Sequence, residues 1–144
     1  MEAMVAMLGL FSTGVMERFP KLRVGFMEAG CGWITFMLDK MEAERRLWAA
    51  DPADRLSPTA IFRERCVVGA EGDEKDIPHV LSTLGAGKVL WSSDFPHPDC
   101  PEDDIPGELS GRNDLSANEK RRVLGQNAID FYHLKAPVSS ASRV

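Results

Sequence analysis

The sequence predicts an α/β protein built around a parallel sheet, and two observations support that prediction. Helical and strand-like segments alternate along the 144 residues in the order helix, strand, helix, strand, helix, strand, helix. Such alternation is typical of right-handed βαβ units, which build parallel sheets. Each predicted strand also ends in a carboxylate, at the sheet edge where parallel α/β proteins bind ligands. Three strands are too few to close a barrel, so the sequence predicts either a small three-layer domain or the end of something larger.

The composition favours a globular protein and excludes several kinds of partner. The chain has 17 Lys and Arg against 22 Asp and Glu, a net charge of −5, and 44% of its residues are hydrophobic. No nucleic-acid partner is expected, because nucleic acid requires a basic surface. No membrane partner is expected, because no apolar run approaches the length of about 18 residues that spans a bilayer. Three well-separated cysteines and an N-terminus without a basic segment predict a cytoplasmic protein without a disulfide framework.

The first half of the chain is predicted to form a helix, a strand and a second helix. Residues 1–18 carry one apolar stripe at helical spacing, formed by Met4, Leu8, Phe11, Val15 and Phe19. Pro20 ends this helix, because the residue before a proline avoids the α region. The mostly apolar residues 22–27 predict a strand, and residues 33–50 predict an amphipathic helix.

The second half alternates in the same way. Ser57 followed by Pro58 is the pattern of a helix N-terminus, and Ser116 with Glu119 has the spacing of a capping box. The predicted segments are a helix at 57–63, a strand at 66–70, a helix at 74–84, a strand at 88–93, a polar loop at 100–114 and a helix from 116 to about 132.

The carboxylates that end the three predicted strands are Glu28, Glu71 and Asp94. Three acidic groups at one sheet edge would repel one another unless a cation joins them. Carboxylates are also the oxygen ligands that hard divalent metals prefer. The pattern therefore predicts a candidate metal site. The alternative that stays open is that these acidic residues only cap the following helices or form ion pairs at the rim.

Asp94 is the strongest of these candidates, because it leaves an apolar strand and enters the segment Phe95-Pro96-His97. The proline restricts the loop and would fix the direction of the carboxylate. His97 either contacts a ligand in the pocket or faces solvent as an ordinary loop histidine. His79 and His133 lie within or at the end of predicted helices and are expected at the surface.

Cys31 is a rival candidate, since it lies between two glycines at a predicted helix N-terminus, where the helix dipole lowers the pKa of a thiol. A cysteine nucleophile requires a base within reach, and no histidine is near it in the sequence. Packing of small residues is the interpretation that we favour for Gly30-Cys31-Gly32.

Four motifs in order resemble the amidohydrolase-related family, the branch that includes aminocarboxymuconate-semialdehyde and resorcylate-type decarboxylases along with hydrolases. They are GVMERFPKL at 14–22, EAGCGW at 28–33, WSSDFPH at 91–97 and LGQNA at 124–128. The resemblance covers about residues 5–134 of the chain.

The resemblance implies a metal-dependent (β/α)₈ barrel of the TIM type, of which this chain would be the C-terminal portion, about strands six to eight with their helices. Residues 1–134 would form that part of the barrel, and 135–144 are expected to be a disordered tail. In the family, the aspartate that ends the eighth strand binds the metal and assists proton transfer, and this position is Asp94. The cofactor that the resemblance implies is a divalent metal, with zinc as the first choice.

The chain departs from the family pattern in two ways. Family decarboxylases carry a catalytic histidine after the sixth strand, where this chain has Glu28, so the usual histidine-assisted route is not expected in that form. The family's His-x-His pair and its further metal histidine have no counterpart in this sequence. Catalytic Zn²⁺ takes three protein ligands, so this chain alone is expected to be weakly active or inactive.

Two functions of different classes follow. The first is a metal-dependent hydrolase or carboxy-lyase acting on a small carboxylated or cyclic molecule. Its catalytic residues would be Asp94 and Glu28, with Asp94 also a metal ligand, and Glu71 and His97 would contact the small-molecule substrate. The second is a non-catalytic fragment or assembly module that pairs through its open sheet edges, a homo-oligomer included.

Overall fold

A computed structural model describes residues 1–48, 56–97 and 105–135. The sheet has three parallel strands in the order β1-β2-β3, namely β1 (Val24–Phe26), β2 (Cys66–Ala70) and β3 (Val89–Trp91). The predicted α/β architecture with a parallel sheet is therefore confirmed. All three strands point the same way, so their C-terminal ends meet at one edge of the sheet.

Eight α-helices and one π-helical segment are described around this sheet. They are α1 (Glu2–Ser12), α2 (Val15–Arg18), α3 (Trp33–Trp48), α4 (Pro58–Arg65), α5 (Ile77–Leu84), α6 (Ile105–Ser110), α7 (Ala117–Arg121), the π-helix (Arg122–Gln126) and α8 (Asn127–Tyr132). Within the described residues, none of these helices has the length and hydrophobicity needed to cross a membrane.

The central strand is buried on both of its faces, as parallel sheets require. All five residues of β2 are buried, and successive residues of a strand point to opposite faces. Val68 belongs to a large apolar cluster to which α1 to α5 all contribute, whereas Val67 packs with Leu90 and Phe131 in a second cluster. Phe131 lies in α8, so this helix helps to cover the second face.

Two predicted helix starts are confirmed. The Ser57 side chain accepts a hydrogen bond from the backbone N–H of Ala60 at 3.1 Å, and Pro58 opens α4. At α7, Ser116 and Glu119 form a complete capping box. Each device satisfies backbone N–H groups that the first helical turn leaves without an intrahelical partner.

Two buried polar side chains tie the sheet to its surroundings. Asn127 donates from Nδ2 to the carbonyl oxygens of Ala86 and Val89, both at 2.8 Å, and so fixes the start of β3. Arg65 donates to the carbonyl oxygen of Met16 at 2.7 Å and anchors α2 beside β2. These bonds satisfy backbone oxygens that would otherwise be buried without a donor.

The prediction of one helix over residues 1–18 is wrong, because Gly14 adopts a left-handed φ of 76° that ends one helix and begins another. Only part of the predicted apolar stripe is buried in the core. Leu8 and Phe19 are 48% and 56% exposed, whereas Met7 and Phe11 form the buried face of α1. A regular four-residue spacing did not identify which side of the helix meets the core.

Three further predictions need correction. The polar loop predicted at 100–114 contains the helix α6. Pro106 and Gly107 do not prevent this helix, because they lie in its first turn, where a proline costs no hydrogen bond. The helix predicted from 74 begins only at Ile77, and the last predicted helix is interrupted by the π-helical segment. The predictions for Ala50, Cys100 and the tail after residue 135 lie outside the described residues.

Candidate active site

The three strand-end carboxylates lie around one open depression at the C-terminal edge of the sheet. The depression holds about 260 Å³ when the space open to solvent is included, and Glu28, Glu71 and Asp94 all line it. Gly69 of β2 and Ser92 form part of its floor and wall. Topology explains this arrangement, since each residue follows a strand of the same parallel sheet.

Two of these three residues have an unusual backbone. Glu28 has a φ of 57° and Asp94 a φ of 55°, both in the left-handed region that L-residues other than glycine rarely adopt. Glu71 is not among the residues with positive φ. Strained non-glycine residues of this kind cluster at functional sites, where the side chain is kept in spite of its backbone cost.

The loop after β3 holds Asp94 in a compact turn. The backbone N–H of His97 donates to the carbonyl oxygen of Asp94 at 2.8 Å, and the peptide between Phe95 and Pro96 is cis. The Ser92 hydroxyl accepts the Asp94 N–H at 3.4 Å. The Asp94 side chain is 23% exposed, and its Oδ2 lies 3.6 Å from Nδ1 of His97, whose side chain is 68% exposed. His97 therefore lies next to Asp94 at the outer rim and forms no part of the lining of the depression.

The described residues do not complete a metal site. In the ranges 1–48, 56–97 and 105–135, no group of three or more His, Cys, Asp and Glu side chains is arranged to hold a metal ion. Asp94 with His97 is a pair, which falls short of the three protein ligands that catalytic zinc takes. The expected joint metal site of the three carboxylates is therefore not formed by these residues alone.

Glu74 is the important residue that the sequence analysis missed. Its carboxylate lies in the lining of the depression and accepts two backbone hydrogen bonds, from Cys31 N–H at 2.7 Å and from Glu71 N–H at 2.9 Å. Sequence reasoning assigned it only to a helix, because the contact with Cys31 joins residues 43 positions apart. The one signal in the sequence was a third carboxylate beside Glu71 and Asp73.

Cys31 is a packed residue. Its side chain is fully buried, and burial together with the neighbouring Glu74 carboxylate raises the pKa of the thiol well above its usual range. The favoured interpretation of small-residue packing is confirmed, because a nucleophilic cysteine needs a lowered pKa and access. Both His79 and His133 are exposed, as expected, and His133 Nε2 accepts from Arg23 at 2.6 Å.

Comparison with known proteins identifies the family. A family model described as amidohydrolase matches residues 2–134. The chain belongs to the amidohydrolase family. The chain is 27% identical over 138 residues to a 2-amino-3-carboxymuconate-6-semialdehyde decarboxylase of Dictyostelium discoideum, which covers 92% of this chain and 37% of that protein.

Solved structures share the fold of this amidohydrolase chain. An amidohydrolase of Mycobacterium avium subsp. paratuberculosis K-10 superposes with a TM-score of 0.69 at 22% identity, covering 90% of this chain and 32% of that one. A dihydroxybenzoic acid decarboxylase of Polaromonas sp. JS666, solved with manganese and the inhibitor 2-nitroresorcinol, gives 0.66 at 17% identity, covering 90% and 39%. The chain thus spans about a third to two fifths of the length of these relatives.

Proposed function

We propose that this chain is the C-terminal part of a metal-dependent carboxy-lyase that acts on a small carboxylated molecule, its β1 to β3 being strands six to eight of a (β/α)₈ barrel. The observation that carries the proposal is the depression around Glu28, Glu71 and Asp94, with left-handed backbone at two of them. The family relatives named as decarboxylases support the reaction class. Barrel enzymes bind their substrates at this edge of the strands.

Decarboxylation requires a group that delivers a proton. When the bond between a substrate carbon and its carboxylate breaks, CO₂ leaves and the electron pair stays on that carbon. An acid must then protonate the carbon, and we assign this role to Glu28, with Asp94 as the second catalytic carboxylate. Glu71 and His97 would contact the substrate from the neighbouring loop and from the rim.

We assign Asp94 as one ligand of a divalent metal. The manganese in the Polaromonas relative supports a divalent ion, and zinc remains our first choice for this chain. The described residues do not fit a complete site, so the other ligands would come from residues other than these. Metal binding by this chain alone is therefore expected to be weak.

Glu28 also favours a second candidate reaction, hydrolysis of a cyclic substrate. It stands where family decarboxylases carry a histidine, and an exposed carboxylate beside a metal is suited to take a proton from water. The two candidates differ in product, because only decarboxylation releases CO₂. A non-catalytic assembly module would give neither product.

The Asp94 assignment is tested in a full-length protein that also carries the other strands of the barrel, with Asp94→Asn and a matched control, Asp39→Asn, on the exposed face of α3. Metal content after incubation with Zn²⁺ or Mn²⁺ is measured by elemental analysis, and CO₂ release is measured from dihydroxybenzoic acids. Asp94→Asn should lower both metal content and turnover at least about tenfold, as loss of groups that hold a metal usually does, whereas Asp39→Asn should match the unsubstituted full-length protein.

Equal metal content and turnover in Asp94→Asn and the unsubstituted full-length protein would refute the metal assignment. Hydrolysis of a cyclic substrate without CO₂ release would favour the second reaction. If the full-length protein neither binds metal nor turns over any substrate, the assembly module is the better account.

A further inference from the structure

The loops that carry Glu28 and Glu71 meet at the carboxylate of Glu74. Glu74 Oε2 accepts the N–H of Cys31 at 2.7 Å, in the loop between β1 and α3. Its Oε1 accepts the N–H of Glu71 at 2.9 Å, at the end of β2. One side chain therefore joins the first and second strand-end loops of the depression through both of its oxygens.

The loop after β1 is shaped to admit this carboxylate. Gly30 has a φ of 63°, and a Cβ built on it would lie 2.9 Å from Glu74 Oε2. Any larger residue at this position would be strained and would also push the carboxylate away. A Cβ on Gly32 would likewise collide with the Asp76 carboxylate. The glycines on both sides of Cys31 are thus accounted for by the acidic side chains that approach this turn.

The backbone of Glu74 is held from the opposite side. Arg112 donates to the carbonyl oxygens of Gly72 at 2.9 Å and of Glu74 at 2.6 Å. Asp114 in turn binds the guanidinium through two hydrogen bonds, at 2.7 and 2.9 Å. The segment between α6 and α7 therefore fixes Glu74, and Glu74 fixes the two loops beyond it.

We propose that Glu74 is the positioning residue of the depression: by binding one backbone N–H from each of two neighbouring loops, it sets the separation of Glu28 and Glu71. It acts through these loops and not on a substrate. The inference deepens the proposed function and rests on it for the roles of Glu28 and Glu71. A residue that only capped the N-terminus of α3 would need the bond to Cys31 and would not need the bond to Glu71.

The test observes the two amides directly. Selective ¹⁵N labelling of cysteine and glutamate limits the spectrum to the amides of three cysteines and eleven glutamates, from which those of Cys31 and Glu71 are assigned. In the unsubstituted chain, both amide protons should be protected from exchange with solvent, because both are hydrogen-bonded to the same carboxylate.

Variants separate the bridge from a cap. Glu74→Gln keeps the length but leaves one acceptor oxygen, so one of the two amides should exchange with solvent at least about tenfold faster. Glu74→Ala removes both acceptor oxygens, and the Cys31 and Glu71 amides should both exchange with solvent at least about tenfold faster. The matched control Asp73→Asn, which changes an exposed carboxylate of the same loop, should leave both rates unchanged.

The proposal is overturned if either the Cys31 or the Glu71 amide of the unsubstituted chain exchanges with solvent as fast as an amide without a hydrogen bond, an outcome that needs no variant to fold. It is equally overturned if Glu74→Ala changes only one amide. Adding Mn²⁺ to the same labelled sample tests the proposed function separately, because a bound Mn²⁺ broadens the resonances of nearby amides. Absence of broadening near Asp94 would contradict the metal assignment, while the amide measurements still decide the role of Glu74.

Discussion

Replacing each strand-end carboxylate with glycine and with alanine should reveal the backbone strain at two of the three positions. At Glu28 and Asp94 the φ angles are 57° and 55°. The left-handed region destabilises an L-residue by roughly 1–2 kcal/mol, and glycine has no such strain there. Glycine lowers the folding stability by about 0.4–1 kcal/mol, because its unfolded chain has more conformational freedom. Glycine variants at these two positions should therefore be more stable than alanine variants by about 1 kcal/mol.

Glu71 is the internal control, because it is the same kind of residue at the end of the neighbouring strand, without a positive φ. There the order should reverse, with alanine more stable than glycine by about 0.5–1 kcal/mol. The comparison of glycine with alanine removes the effect of losing the carboxylate, because both variants lose it.

The assay is urea unfolding followed by circular dichroism at one fixed protein concentration. With a denaturant slope of about 2 kcal/mol per molar urea, a difference of 1 kcal/mol moves the midpoint by roughly 0.5 M. A glycine variant that is no more stable than its alanine counterpart at both Glu28 and Asp94 would refute the strain argument. The same result would remove the backbone evidence that these carboxylates are kept for function.

Three further predictions concern the support of the site. Asn127→Ala should lower the free energy of unfolding by ~2–4 kcal/mol, because one buried and one partly buried carbonyl oxygen lose their donor; a change below measurement error would contradict it. Burial opposes ionisation of Glu42, but hydrogen bonds, chiefly from Ser57, outweigh it and lower its pKa. Glu42→Gln should thus cost about 1–2 kcal/mol at neutral pH, and thermal unfolding should show this difference vanish as the pH falls below 4.5 through the lowered pKa. Burial raises the pKa of the Cys66 thiol to about 11 and also raises that of Cys31. In the folded chain at pH 8, neither cysteine should therefore be alkylated or form a disulfide. Mass spectrometry that finds an alkylated or disulfide-linked peptide containing either residue would contradict this.

The sequence predicted the parts of the fold that depend on local pattern. Short apolar runs between helical segments identified the three strands, and the capping signals at Ser57 and Ser116 identified two helix starts. The placement of Glu28, Glu71 and Asp94 at one edge also followed, because parallel strands must end on the same side. These predictions needed no knowledge of how distant segments meet.

What could not be predicted depends on contacts between distant segments. The bond from Cys31 to Glu74 exists only because β1 and β2 pair in a particular register. The left-handed backbone at Glu28 and Asp94 was also hidden, since sequence signals for positive φ are glycine and asparagine. The break at Gly14 carried such a signal, but the apolar spacing on both sides of it outweighed it.

The last prediction is that this chain associates with itself in solution. Phe36 and Leu47 are 58% and 72% exposed on α3, and their spacing of eleven residues places them on one face of the helix. Burying a few hundred Å² of such surface contributes several kcal/mol at about 25 cal/mol per Å². The outer edges of β1 and β3 also have no strand partner within the described residues, which adds a second route to association.

Size-exclusion chromatography with light scattering over a range of protein concentrations tests this prediction. The unsubstituted chain should give a mass above the 15.9 kDa of one copy, and the mass should rise with concentration. Phe36→Lys combined with Leu47→Lys should lower the mass, because a charge on an apolar contact face must lose its hydration. Ser82→Lys, which places a lysine at an exposed position of α5, outside α3, should leave the mass unchanged. A sharp monomer at every concentration would contradict the prediction and would mean that these apolar side chains and open strand edges are tolerated in water.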